Sequence, residues 1–436
     1  MLYSKFQYNL YHLLDGYYPK VIAVAVSGGG DSVALLALMH QWATSRSIKL
    51  VIMTVNHNLR AQAIVEVKHV MNLAQDFGYN CAILNWDHQN NFSNLQERAR
   101  EVRYSLMTNL CKQLDILTLL TAHHADDNLE NFIIRQERKS GTLGLHHSPI
   151  NFTGNTRILR PLFDIHKVEL LNYLLVNNIS WFEDESNLSN KYKRAQIRIA
   201  LAGQDRLRKK ELRLQQDKIN DQANIIKPLL IAAIAESVTI YKYGFAKIEL
   251  DKLDNFNNDI QLQLIHFVLT VISGNTKVPR ARSSLPILSL LHDCQKFIKT
   301  LHGCILDKSA NILLVYREFG KNAPLDVPLI DRAVWDNRFC LDHRNRSLPR
   351  YAYITRLLAS DYKYLRQKLN LSNVLENIID LSPNKHQAIL FTLPVIKIFE
   401  KVIALPHISY YDSANLIEKL DLSFRPGFMS RFTHFC

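Results

Sequence analysis

The sequence predicts an α/β protein: a doubly wound, mostly parallel sheet, followed by a helical central domain and a small α+β C-terminal domain. Three observations carry this. Up to residue 125, apolar runs alternate with helical stretches at the rhythm of βαβ units. A glycine-rich turn sits where the first such run meets the first helix. Past residue 214 the pattern becomes mainly helical and ends in a short mixed segment.

The elements follow in order. Residues 21–26 are purely apolar, as expected of a strand buried on both faces. Residues 50–55, 81–86 and 116–121 have the same character. Between them, Val33, Leu36, Leu38 and Met39 mark one helix, and Val67, Val70, Met71 and Ala74 give a second its 3.6-residue stripe. Residues 95–114 are a third helix with a basic outer face. Short parallel strands joined by helices imply an open sheet, and such sheets bind ligands beyond the carboxyl ends of their strands. Residues 187–213 carry Lys191, Lys193, Arg194, Arg198, Arg206, Arg208, Lys209, Lys210 and Arg213 against Asp205 and Glu211, and read as a loop and a basic helix. Such a run is either a solvated linker helix or a surface that tracks phosphates. Residues 215–325 read as mainly helical with β character near 300–316, and 326–345 as a connection containing Pro and Asp. Beyond 350, residues 388–396 and 402–405 look strand-like. The expected domains are therefore 1–213, 214–325 and 346–436.

Composition bounds the partners. A chain of 436 residues, 47% hydrophobic and 21% charged, is a globular protein of several domains rather than a disordered or fibrous one. Lys and Arg total 53 against 40 acids, a net +13 that favours a polyanionic partner, nucleic acid first and an acidic membrane surface second. No apolar run approaches the roughly 18–20 residues that span a bilayer. The first 20 residues lack the layout of a signal peptide. The six cysteines form no Cys-x-x-Cys pair. A reduced, cytoplasmic protein without a membrane segment or a cysteine-based metal site is expected.

The sharpest feature is Ser27-Gly28-Gly29-Gly30-Asp31-Ser32, after a strand and before a helix. Its glycines allow a tight turn whose N–H groups, with the helix N-terminus, cradle an anion. Ser27 and Ser32 add hydroxyl donors. Asp31 would repel phosphate unless a cation lay between them, and Mg2+ bridging Asp31 to phosphate oxygens removes that conflict. The plainer reading is a glycine turn with a helix cap. The hexapeptide is neither a Walker A loop nor a Gly-x-Gly-x-x-Gly turn.

It resembles the PP-loop of the N-type ATP pyrophosphatases. Further motifs narrow the resemblance: Asn56-His57-Asn58-Leu59-Arg60; residues 94–104 with Arg98, Arg100, Arg103 and Tyr104; Ala122-His123-His124-Ala125-Asp126-Asp127-Asn128-Leu129-Glu130; Arg160-Pro161-Leu162; and Trp181, Asp184, Ser186-Asn187, Arg194 and Arg198. In order and spacing they are similar to the tRNA(Ile)-lysidine synthetase family, strongly over about residues 20–200 and more thinly beyond. The resemblance implies the PP-loop fold. It also implies ATP-dependent joining of free L-lysine to C2 of the wobble cytidine of the CAU-anticodon isoleucine tRNA, through an adenylated cytidine, with release of AMP and pyrophosphate. ATP is then a substrate and Mg2+ a cofactor.

The same resemblance assigns roles. Residues 27–32, Arg100 and Arg103 hold ATP, and Asp31 holds the metal. Asp127 and Glu130 bind lysine; a helix starting near Asp126 would put them on one face at i, i+3. Acids in a first turn also serve simply as dipole complements, a reading that fits Asp126. His123 is either a satisfied core residue or a group that contacts the nucleotide or stabilises the transition state, and is preferred to His124. Arg194 and Arg198, at i, i+4, stand near the catalytic centre. The expected catalytic set is Asp31, His123, Asp127, Arg194 and Arg198. The chain departs from the family pattern at Asn128, Asn131, Lys139 and Ala195, where Gln, Thr, Gly and Asn are usual, but keeps every ionisable residue. Two other readings stay open: another PP-loop tRNA-modifying enzyme of the thiolase kind, and a non-catalytic tRNA-binding protein with a decayed nucleotide site. Monomer and homodimer are equally compatible with the sequence.

Overall fold

The computed structural model describes residues 1–56, 62–86, 95–183, 193–275, 277–320, 323–329, 332–342, 351–368, 382–412 and 422–425. His57–Arg60, Asn94, Asp184, Ser186, Asn187 and Lys191 of the sequence motifs lie outside the described residues. The chain forms two compact units, residues 1–224 and 225–435.

In the first unit, β1 (Val21–Ala25), β2 (Lys49–Asn56), β3 (Cys81–Asn85), β4 (Thr118–Leu120), β5 (Ile150–Thr153) and β6 (Thr156–Leu159) form one sheet in the order β3-β2-β1-β4-β6-β5. All neighbours run parallel except the β5–β6 hairpin at the edge. The helices are α1 (Leu2–Leu13), α2 (Gly30–Thr44), α3 (Gln62–Asp76), α4 (Leu95–Gln113), α5 (Ala125–Glu137), α6 (Thr142–Leu145), α7 (Lys167–Val176), α8 (Lys193–Ala202) and α9 (Arg206–Ser237). The apolar run of β1 is explained by cover on both faces. Ile22 and Val24 pack with Phe6, Leu36 and Trp42, whereas Ala23 packs with Met53, Met107 and Cys111. Helix α2 is apolar on every side because it is buried all round: Val33, Leu35, Leu36, Leu38 and Met39 have no exposed surface. Each such side chain contributes roughly 1.5–3 kcal/mol of burial.

The strand order positions the site. From β1 the chain steps to β2 and β3 on one side, then returns to place β4 on the other. The strand order therefore reverses between β1 and β4, and the crevice at that switch point opens beyond their carboxyl ends. Residues 27–32 follow β1 and residues 121–127 follow β4, so the two strongest motifs meet there.

The expected single basic helix is two, α8 and α9. They break at Gly203, and Asp205 Oδ1 then caps α9 by accepting from the Arg208 N–H at 2.7 Å. The boundary between the units falls within α9.

The second unit holds β7 (Val238–Tyr241), β8 (Phe245–Glu249), β9 (Lys296–Leu301), β10 (Cys304–Ser309) and β11 (Ile312–Arg317) in an antiparallel sheet ordered β7-β8-β11-β10-β9. With them lie α10 (Leu250–Leu253), α11 (Asn258–Ser273) and α12 (Ala281–Asp293). Strands β12 (Val327–Pro328), β13 (Arg332–Trp335), β14 (Phe339–Asp342), β15 (Ala352–Arg356), β16 (Pro394–Ile398), β17 (Lys401–Leu405), β18 (Tyr410–Tyr411) and β19 (Leu422–Phe424) follow, with helices α13 (Ala359–Lys368) and α14 (Pro383–Leu390). One core runs from Phe245 and Leu314 through Trp335 and Phe339 to Ile354 and Val395, so segments 214–325 and 346–436 contribute to the same hydrophobic cluster.

Two local expectations are corrected. Residues 326–345 carry strands rather than a plain connection. Ala333 and Trp335 are buried while Val334 between them is exposed, a period-2 pattern too short to stand out among flanking polar residues. Residues 388–390 end helix α14 instead of starting a strand, with Ser382 and Pro383 at its N-terminus. Among the described residues, no helix is long and apolar enough to cross a membrane.

Candidate active site

The loop after β1 is shaped by its glycines. Gly28 takes φ +88°, which favours glycine, and a Cβ on Gly30 would stand 2.6 Å from Leu171 Cδ2 and 3.2 Å from Trp181. Gly29 is the N-cap of α2 in extended conformation. Ser32 Oγ donates to the Gly29 carbonyl at 2.9 Å and accepts from the Ser27 N–H at 3.1 Å. Phe182 straps the loop from outside, its N–H donating to the Gly28 carbonyl at 3.0 Å. These bonds fix the cradle before any anion arrives.

Helix α5 starts in the opposite loop. His124 is its N-cap: Nδ1 accepts from the Asp127 N–H at 3.4 Å, and the His124 N–H donates to Asp127 Oδ2 at 3.3 Å. The other ring nitrogen, Nε2, lies 3.4 Å from Asp31 Oδ2 and 3.5 Å from Asp127 Oδ2. One buried imidazole thus joins the carboxylates of the two loops. Burial opposes its protonation, but the Asp31 hydrogen bond and the charges of Asp127, Asp31 and Asp126 outweigh that and raise its pKa. Burial likewise opposes ionisation of Asp31, but His124, with Lys167 and Arg198, holds its carboxyl below the ordinary value. Asp31 Oδ1 is buried and accepts no hydrogen bond, which leaves it available to a cation. Among the described residues no three His, Cys, Asp or Glu side chains converge as a metal cage. A single carboxylate suits Mg2+, which keeps waters and substrate phosphates as its other ligands.

The facing wall is cationic. A cavity of about 390 Å3 is lined by Ser27, Gly29, Asp31, Ser32 and Asp127, whose two carboxylates His124 joins, and by Arg100, Arg103, His123 and Arg194. His123 Nε2 accepts from Arg100 Nη1 and Nη2 at 3.4 Å, so its proton sits on Nδ1, 3.2 Å from Thr121 Oγ1. Burial, then the charges of Arg160, Arg100, Arg103 and Arg194, push its pKa well below the ordinary histidine value, and the ring is neutral. Arg103 and Arg160 are themselves depressed, first by burial. Arg100 and Arg103 lie over the Tyr104 ring at 5.3 and 5.6 Å. A group of guanidiniums this crowded is poised for an anion that would relieve it.

The sequence-predicted residues divide by position. Ser27, Gly29, Asp31, Ser32, Arg100, Arg103, His123, Asp127 and Arg194 line the cavity; Gly28 and Gly30 shape its floor. Glu130 and Arg198 do not line it. Glu130 is buried, and both its oxygens are bound: Oε1 by Arg198 Nε at 2.6 Å, Oε2 by Arg198 Nη2 at 3.1 Å and Arg194 Nε at 3.2 Å. Arg194 also reaches Asn131 Oδ1 at 3.0 Å, so the residue that departs from the family pattern there still serves as an acceptor. Asn128 donates to the Phe163 carbonyl at 2.7 Å, and Ala195 is buried. Lys139 occupies the left-handed position after α5 at φ +55°, the conformation for which glycine is usual.

Sequence reasoning passed over Lys167, whose Nζ is 3.7 Å from Asp31 Oδ2, and the linking role of His124. It also passed over Glu66 and Phe182 on the cavity wall. Ala25 and Val55 line the cavity at the ends of β1 and β2. Asp126 lies outside the cavity and ties α5 to its neighbours, accepting from the Lys167 N–H at 2.9 Å and Arg213 Nη2 at 3.3 Å.

Residues 2–204 fit the model of the PP-loop domain. The tRNA(Ile)-lysidine synthase of Rickettsia bellii (strain RML369-C) is 52% identical over 437 residues, spanning all of both chains. That of Rickettsia felis is 51% identical over 438 residues, again end to end. Among solved structures, the U34-tRNA thiolase NcsA from Methanococcus maripaludis with its [4Fe-4S] cluster aligns with a TM-score of 0.41 and 13% identity, over 50% of this chain and 79% of its own. With whole-length identity at this level, the chain belongs to the tRNA(Ile)-lysidine synthase family.

Proposed function

We propose that the protein is an ATP-dependent ligase that joins the ε-amine of free L-lysine to C2 of cytidine 34 in the CAU-anticodon isoleucine tRNA. The observation that carries this is the polarity of one cavity. Its Asp31 and Asp127 carboxylates suit a cation and an ammonium, its arginines suit phosphates, and a neutral imidazole, His123, stands beside Arg100.

In the first step the C2 carbonyl oxygen attacks the α-phosphorus of ATP. The O2–P bond forms, the P–O bond to the β-phosphate breaks, and pyrophosphate leaves with the electron pair. The N–H groups of residues 27–32, with Arg100, Arg103 and Arg194, hold the charge that develops. When bound at Asp31, Mg2+ supplies charge neutralisation of the phosphates. In the second step the lysine ε-nitrogen attacks C2, the C2–O2 bond breaks, and AMP leaves carrying O2. A free lysine amine has a pKa of about 10.4, so it arrives as an ammonium. Asp127 orients the ammonium and takes one proton from it before attack, so that the neutral amine carries the lone pair that forms the C–N bond. Glu130 supports this lysine site by fixing Arg194 and Arg198; direct contact with the substrate requires that clamp to open. His123, kept neutral, adds no positive charge against the incoming amine. Phosphate contacts carry no sequence information. Discrimination against methionine tRNA, which shares the anticodon, is assigned to the chain beyond residue 215.

The test is AMP release from α-labelled ATP with the isoleucine tRNA transcript, with lysine present, absent, or replaced by ornithine or arginine. Lysine-dependent release, with labelled lysine entering the tRNA, is the expected result. Turnover indifferent to lysine would remove the lysine site and leave a different PP-loop reaction.

A further inference from the structure

We propose that Lys167 is a ligand of the ATP β- and γ-phosphates and holds the pyrophosphate as it departs. This rests on the function proposed above and extends it to a residue outside the motifs. Lys167 opens helix α7, and its N–H is fixed by Asp126 Oδ2 at 2.9 Å, one residue from Asp127. The same helix presses Leu171 against Gly30, so α7 is registered on the phosphate cradle itself. The lysine side chain thus extends from a rigid base to Asp31 within the loop.

Its present partner is a loose one. Nζ lies 3.7 Å from Asp31 Oδ2, and the side chain is 42% exposed. An ion pair at that distance and exposure contributes little. Arg198, the other cation whose charge bears on Asp31, is committed to Glu130 at 2.6 Å. Arg100, Arg103 and Arg194 belong to the facing wall with His123. Among the described residues, Lys167 is therefore the weakly held side-chain cation beside Asp31. A triphosphate laid over residues 27–32 brings charge to that spot. Phosphate oxygens there would compete with Asp31 Oδ2 for the ammonium, and a mobile point charge with three donors is suited to follow the leaving group. When the α-phosphorus–oxygen bond breaks, the electron pair stays on pyrophosphate, and Lys167 faces the charge that accumulates there. No proton transfer is needed.

The experiment is calorimetric titration of the full-length protein, in magnesium buffer, with inorganic pyrophosphate and separately with AMP. Lys167→Met is expected to weaken pyrophosphate binding about tenfold, close to 1.4 kcal/mol, and to leave AMP binding within about twofold. Lys167→Arg, which keeps the charge, is expected to retain most of the pyrophosphate affinity. Unchanged pyrophosphate binding by Lys167→Met would overturn the proposal. So would equal loss of both ligands, since that signals damage to Asp31 or to the fold. Wild-type protein that bound neither ligand would instead overturn the proposed function.

Discussion

His123 lines the cavity, His124 lies next to it in the chain but outside the lining, and the two face opposite surroundings. His123 is kept neutral first by burial and then by the guanidiniums of Arg160, Arg100, Arg103 and Arg194. His124 points the other way, to Asp31, Asp126 and Asp127, which raise its pKa against the cost of burial. Residues in extended conformation alternate sides, and here the alternation falls on the line between an anion-binding wall and a cation-binding wall. Charge state in this site is set by which wall a side chain faces, not by its type. The cap adds a second constraint. Nδ1 of His124 accepts from the Asp127 N–H, so full protonation of that ring costs the cap bond while it gains contact with the carboxylates.

The comparison can be broken at several points. The largest effect is expected at Asp31. Asp31→Asn removes the carboxylate from the phosphate side and should lower kcat by about 10^2–10^3 in the AMP-release assay, the scale of losing one transition-state contact. Next is Glu130, which is buried under Arg194 and Arg198. Glu130→Gln leaves two guanidiniums against a neutral amide. It should destabilise the fold by about 3 kcal/mol in urea unfolding, the lower end for breaking a buried pair because the arginines are partly exposed. A variant as stable as the wild type would show that the clamp is not structural.

The histidines predict opposite pH dependence. His123 has a folded pKa below its unfolded value, so its contribution is complete above about pH 6.5 and is lost as pH falls toward the folded pKa. His124 has a folded pKa above its unfolded value, so its contribution is complete below about pH 6.5 and is lost as pH rises through the folded pKa. In thermal melts between pH 8 and pH 5, about the range where histidine titrates, His123→Gln should lose less stability on acidification than the wild type. His124→Gln should lose more. Parallel slopes would contradict the division into two walls. The smallest effect is at Lys139, which carries a side chain at φ +55°. Lys139→Gly should stabilise the protein by about 1 kcal/mol and leave turnover unchanged.

What the sequence reveals and conceals follows from locality. Residues 27–32 and 126–130 are legible because each is a contiguous device: a glycine turn at a strand end, and carboxylates at the start of a helix. The parallel sheet is legible because strands covered on both faces are apolar throughout. His124 was passed over because its role depends on a loop more than ninety residues earlier, which only the sheet order brings within 3.4 Å. Lys167 was passed over because a lone lysine at a helix start carries no pattern. Glu130 is identified by its motif, but its commitment to two arginines is a tertiary fact, since α8 has no sequence cue to its packing on α5. Strands β13 and β14 escaped because each is 4 residues long.

The measurement that tests the central claim most directly is a pre-steady-state comparison of Asp127→Asn with the wild type. Pyrophosphate and AMP release are followed separately with ATP, magnesium, the isoleucine tRNA and saturating lysine. If Asp127 serves the lysine half of a divided cavity, the variant releases a burst of pyrophosphate at close to the wild-type rate. Its lysine-dependent AMP release then falls by about a hundredfold, within the range of a general-base contribution. If pyrophosphate release falls as far as AMP release, Asp127 serves both steps alike, and the division of the cavity into two walls of separate function is contradicted.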